Sequence, residues 1–81
     1  MFWMKYNVYE VRPRLGCYHG MSLVAAESAE EANRIIEDFI KSDPKNFYDS
    51  WGYGKVSESD LIEGVYSENK RIVHMDIHYC G

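Results

Sequence analysis

His74, Asp76 and His78 alternate along one short stretch near the end of the chain, a His-x-Asp-x-His pattern. On a β-strand, alternate residues share a face with Cα atoms about 6.6 Å apart. Two imidazoles and a carboxylate at that spacing are the side-chain types that hold Zn²⁺, with a fourth position left for His19, Cys80 or water. A zinc site ordinarily draws ligands from more than one element and carries a supporting shell of hydrogen bonds, and the sequence displays neither. The solvated face of an antiparallel sheet produces the same alternation. A polar strand face without a cofactor is therefore the first expectation, and a metal site at His74, Asp76 and His78 the alternative.

Cys17-Tyr18-His19 places a thiol and an imidazole two residues apart, the minimum for a thiolate nucleophile. A reactive cysteine also needs something that depresses its pKa, such as a helix N-terminus, and the strongest helix signal begins only at Ser28. Gly52-Tyr53-Gly54 has no G-x-G-x-x-G continuation, and the chain contains no phosphate-loop, nucleophile-elbow or H-E-x-x-H motif. Ser57-Glu58-Ser59-Asp60 reads as a solvated approach to a strand rather than as an acid/base pair. These residues lead to the expectation of no catalytic residue, no cofactor and no enzymatic activity. Trp51 and Tyr53, beside two glycines, either press onto the core through a tight turn or form an exposed aromatic loop that grips a partner.

Composition narrows the class. Eighty-one residues make one domain spanning 1–81, with a thin core. Thirteen acidic against nine basic residues leave a net charge of −4, which opposes partners bound through phosphate neutralisation. An aromatic sheet that stacks RNA bases is disfavoured because no basic run flanks the rings. Two distant cysteines, Cys17 and Cys80, are expected to be reduced thiols in a cytoplasmic protein. The opening Met1-Phe2-Trp3-Met4-Lys5-Tyr6 is too short for the apolar region of a signal peptide, and neither nucleic acid nor membrane is an expected partner. The departure from average is aromatic: seven Tyr, two Trp and three Phe in a small chain.

The elements that must position these groups follow from periodicity. Ser28, with Glu31 three residues on, is a capping box, and Glu30 and Glu31 suit the positive end of the helix dipole. Ala29, Ala32, Ile35, Ile36, Phe39 and Ile40 then form one apolar stripe. Glu30 with Arg34 and Glu37 with Lys41 are acid-first pairs on the opposite face, and Pro44 ends the helix. Met4 to Arg12 and Tyr18 to Ala26 read as strands of one hairpin around Pro13-Arg14-Leu15-Gly16. Leu61 to Tyr66 and Arg71 to Tyr79 read as a second hairpin around Ser67-Glu68-Asn69-Lys70. The fold class expected is α+β: a four-stranded antiparallel sheet in β-β-α-β-β order with one main helix packed on one face.

In the last strand Val73, Met75, Ile77 and Tyr79 should meet the helix, with His74, Asp76, His78 and Cys80 on the other face. The first strand is open between two readings, Tyr6 and Val8 inward or Tyr9 and Val11 inward. Four seven-residue strands make a sheet roughly 23 Å by 19 Å, whereas the helix is about 21 Å by 10 Å. One helix covers about half of one face. The segment from Asp43 to Gly54 is a candidate cover for the rest, and the far face is expected to stay open or to close against a second molecule.

Gly52-Tyr53-Gly54-Lys55-Val56, Ile62-Glu63-Gly64-Val65-Tyr66-Ser67, Ile72-Val73 and the closing Tyr79-Cys80-Gly81 resemble small uncharacterised orphan proteins of gut bacteria and their phages or mobile elements. Leu23-Val24-Ala25-Ala26-Glu27-Ser28-Ala29-Glu30-Glu31-Ala32 is similar to the strand-into-helix joint of such proteins. The resemblance implies no activity and carries over no catalytic residue, but it adds a mobile-element inhibitor of a host protein as an alternative function. The function expected is a non-enzymatic protein-interaction module. It would associate as a homodimer through an exposed sheet face or the aromatic loop, with Tyr18, Trp51, Tyr53, His74 and His78 as the candidate surface.

Overall fold

Ser28 is where extended chain becomes helix. Its backbone is still extended, at φ −152° and ψ 166°, and its hydroxyl accepts from the Glu31 amide at 3.2 Å. The helix α1 that follows runs Ala29–Lys41. The return arm of the expected capping box goes one residue further back: the Glu31 carboxylate accepts from the Glu27 amide at 2.9 Å. Glu30 and Arg34 pair at 3.3 Å on the outer face, and the Ser42 hydroxyl closes the C-terminus by donating to the Phe39 carbonyl at 2.7 Å.

The computed structural model describes residues 5–13, 18–42, 55–74 and 77–79. Its strands are β1 (Tyr6–Val11), β2 (Tyr18–Gly20), β3 (Ser22–Ala26), β4 (Leu61–Ser67), β5 (Ile72–His74) and β6 (Ile77–Tyr79), with a 3₁₀ turn at Glu58–Asp60 before β4. Four of them form an antiparallel sheet in the order β4-β1-β3-β5, and β2 pairs with β6. One helix on an open antiparallel sheet is the α+β class expected from the sequence.

Two features differ from expectation. The second pair of strands is not a hairpin: β4 pairs with β1 and β5 with β3, at opposite edges of the sheet. A polar connection is compatible with either outcome, and here Ser67 to Arg71 crosses the end of the central strands. Arg71 is fixed there by reciprocal backbone hydrogen bonds with Ala25 of 2.8 and 3.1 Å. The strand expected over 18–26 is also divided at Met21, and the one expected over 71–79 is described as two pieces.

The side of β1 that meets the helix is the Tyr9 and Val11 side. These two pack with Val24 and Ala26 of β3, with Ala29, Ala32, Ile36 and Ile40 of α1, and with Val56. Burial of a side chain such as Ile36 contributes about 1.5–3 kcal/mol. In β5 it is Ile72 that packs against this core, while Val73, expected to meet the helix, is 45% exposed. The cause is the register: Ile72 stands opposite the core residue Val24 and shares its face, so the next residue, Val73, points away, and a register shift follows that sets Leu23 opposite His74.

The far face is less bare than its dimensions imply. Val8 of β1 and Ala25 of β3 face each other on that side and are 2% and 0% exposed. Both sit in central strands flanked on each side by a neighbour. The large apolar side chains left exposed among the described residues are Met21, Leu61, Val65, Tyr66 and Val73, and four of these five lie in the edge strands β4 and β5.

Candidate functional site

Three places collect side chains able to do something other than fill the core. The first is where the chain returns to the helix after the described segment resumes at Lys55. Asn33 stands at the border of the apolar stripe, four residues after Ala29 and three before Ile36; it is buried, and its amide grips the Val56 backbone at both ends. Nδ2 donates to the Val56 carbonyl at 2.9 Å and Oδ1 accepts from the Val56 amide at 2.8 Å. Two residues on, the Glu58 carboxylate accepts from the Ala29 amide at 2.9 Å and from the Tyr9 hydroxyl at 3.0 Å. It thereby satisfies a first-turn amide and places a negative charge at the positive end of α1. Asp60 closes the 3₁₀ turn by accepting from the Ser57 amide at 2.8 Å. The acidic stretch read as a solvated approach to a strand is thus a clasp between sheet, helix and loop.

Burial pushes the Tyr9 phenol above its ordinary value of 10.0, and the hydrogen bond to Glu58 and its charge push the same way, against a smaller opposing hydrogen bond from Asn7. Beside the clasp lies a cleft of about 530 Å³ between α1 and residues 55–58, bordered by Glu30, Arg34, Glu37 and Lys55. The polar groups at its floor, Asn33 and Glu58, are engaged in holding the fold. Arg34 is paired with Glu30, so the cleft presents mixed charge rather than one sign.

The second place is the edge strand β4. Leu61, Val65 and Tyr66 are exposed on it, Tyr66 to 58%, with Glu63 between them. Lys5 stacks its ammonium 5.8 Å from the Tyr66 ring centre, a weak cation–π contact at an exposed site. Gly64 has φ +78°, in the region that favours glycine, and the β1–β4 register shifts between Asn7 and Tyr9. Such an irregularity bends an edge strand and discourages continuous pairing with a second strand. Next to β4, Lys70 donates to Glu31 at 3.1 Å and lies 5.8 Å from the Tyr6 ring centre, tying the β4–β5 connection to the helix.

The Glu31 carboxyl is held below its ordinary 4.5, first by the Glu27 amide and then by Lys70. A depressed carboxyl contributes stability that is present above pH 4.5 and lost as pH falls through the lowered value. Glu31→Gln is therefore expected to flatten the acid limb of a melting-temperature profile. An unchanged profile would show that these contacts do not persist in solution.

The third place is the β2–β6 ribbon, in which Tyr18 faces Tyr79, His19 faces His78 and Gly20 faces Ile77. Of the residues expected to act, His74 ends β5 exposed and faces Leu23, while Tyr18 and His78 lie in different strands of the ribbon. Trp51, Tyr53 and Asp76 lie outside the described residues, as do Cys17 and Cys80. Among the described residues no three His, Cys, Asp or Glu side chains converge as a metal site, and no helix is long and apolar enough to cross a membrane. Sequence reasoning missed Asn33 and Glu58. Its spacing to Ala29, Ile36 and Ile40 puts Asn33 beside the apolar stripe, a signal that could have found its burial, but its partner is backbone 23 residues away and leaves no local trace.

No family model, no curated protein and no solved structure matches this chain.

Proposed function

We propose that the chain is a non-enzymatic protein-interaction module that pairs with a second copy of itself through the outer strand β4. The observation that carries this reading is the exposure of three large apolar side chains, Leu61, Val65 and Tyr66, along one seven-residue edge strand. A twofold axis lets the same patch meet itself, the commonest way to bury such surface. Because Gly64 bends the strand, the contact is made by side chains rather than by extension of the sheet ladder. Three side chains supply only part of the roughly 800 Å² per partner that stable complexes bury, so association is weak and concentration-dependent.

Sedimentation velocity over a concentration series tests this. The wild type should move from monomer toward dimer as concentration rises. Tyr66→Lys, which places like charges across the axis, should remain monomeric with little change in melting temperature. A wild type that stays monomeric throughout would remove self-association. Loss of dimer in Trp51→Ala, with none in Tyr66→Lys, would transfer the contact to the aromatic loop. A host protein, as the mobile-element resemblance implies, would then be sought with the same two variants as baits.

A further inference from the structure

Leu61-Ile62-Glu63-Gly64-Val65-Tyr66 has the same polarity read from either end: two apolar residues, a central pair without apolar side chains, two apolar residues. All six lie in β4, an outer strand of the sheet. A twofold axis perpendicular to a strand reverses that strand onto its own copy. A pattern that is its own mirror is self-complementary under such an axis.

We propose that two copies of β4 lie antiparallel about an axis between Glu63 and Gly64, and that Lys5 of each copy pairs with Asp60 of the other to fix this alignment. The alignment rests on β4 being the self-contact proposed above. Leu61 then stands level with the partner's Tyr66, and Ile62 level with the partner's Val65. Glu63 falls level with the partner's Gly64. Among the described residues nothing lies within 4 Å of where a side chain on Gly64 would begin, so the carboxylate has room. An axis half a residue to either side sets Tyr66 level with Asp60 or Val65 level with Glu63, an apolar group against a charge in each case.

Charge is distributed to match. The Leu61 end of β4 is entered through the 3₁₀ turn Glu58–Asp60. Glu58 is engaged by Ala29 and Tyr9, whereas the half-buried Asp60 bonds Ser57 through one oxygen, Oδ2. The Tyr66 end carries Lys5, whose ammonium lies 5.8 Å from the Tyr66 ring centre and, among the described residues, joins no ion pair. Glu68, just past Ser67, is exposed and leaves Lys5 unpaired, while Lys70 is tied to Glu31. Within one copy Lys5 and Asp60 stand at opposite ends of the β1–β4 pairing, which runs from Tyr6 opposite Ser67 to Tyr9 opposite Leu61. Reversal brings them together across the axis, twice per dimer. The same reversal sets the two Glu63 carboxylates on either side of the axis, where they repel.

Sedimentation equilibrium of the full chain gives the dimer dissociation constant. Lys5→Gln and Asp60→Asn, the latter keeping an oxygen for the Ser57 amide, should each weaken the dimer about fivefold, the size expected when two exposed ion pairs are lost together. The double variant should be no weaker than either single one, because both remove the same pairs. Glu63→Gln should tighten the dimer by a similar factor, a gain that no folding defect imitates. Val65→Glu, which brings a carboxylate into the contact under any alignment of β4, checks the contact itself. If Val65→Glu abolishes the dimer, additive losses in the double variant, a tighter dimer in Lys5→Gln, or no gain in Glu63→Gln would each overturn the alignment and leave the β4 contact standing. A wild type that stays monomeric, or a dimer that persists in Val65→Glu, would remove the contact and the alignment with it.

Discussion

Asn33→Ala is expected to lower the stability of the domain by about 2–4 kcal/mol, from the cost of leaving a buried donor and a buried acceptor unpaired. Both are backbone groups of Val56, and both are bonded to the Asn33 amide in the structure. Val56 is itself in the core, so water does not readily replace the lost partner. Asn33→Leu separates this from packing. It keeps side-chain volume at a position that is 7% exposed, yet it should cost nearly as much because the Val56 groups still lose their bonds. Urea denaturation reads the result as a fall in midpoint at unchanged slope. A loss under about 1 kcal/mol in both variants would mean that Val56 finds other partners and that the clasp is not needed to seat this segment.

The second large effect is expected at Glu58. Its two oxygens hold the Ala29 amide and the Tyr9 hydroxyl, so Glu58→Ala removes a helix-terminal hydrogen bond, a favourable charge and a tyrosine partner together. Glu58 is exposed, which screens the charge, and a loss of about 2 kcal/mol is expected. Tyr9→Phe keeps the ring in the core and removes only the hydroxyl. In a double-mutant cycle the two changes should couple by about 1 kcal/mol, and additive losses would show that the bond contributes nothing. Alkaline unfolding gives an independent readout. Because the folded Tyr9 phenol lies above 10.0, its contribution is complete below that pH and is lost as pH rises through the raised value. Tyr9→Phe should remove that part of the alkaline decline.

The two expected effects fall on residues that were hard to read from sequence, for related reasons. Glu58 looks like ordinary polar surface and Asn33 like a polar residue bordering the apolar stripe, and the partner of each is far along the chain, 49 positions away for Glu58 and 23 for Asn33. Ser28 was legible because its partner is three residues on, within reach of one turn. The Glu31 return arm was nearly legible, off by the single residue between Ser28 and Glu27. Of the candidate surface residues, Trp51 and Tyr53 lie outside the described residues. Tyr18, His74 and His78 fall in three separate strands, β2, β5 and β6.

The sequence by itself determined the helix, its cap and its apolar stripe, the strand-forming runs on either side, and with them the α+β class. These are set by interactions within a few residues, where the 3.6-residue and two-residue periods of side-chain placement leave a direct imprint. Tertiary structure decided that β4 and β5 occupy opposite edges, that pairing with Val24 brings Ile72 onto the core and leaves Val73 outward, and that His19 stands opposite His78. Such pairings are chosen by the free energy of burying the whole sheet under one helix. Several strand orders share the same local pattern, and only the assembled chain distinguishes them.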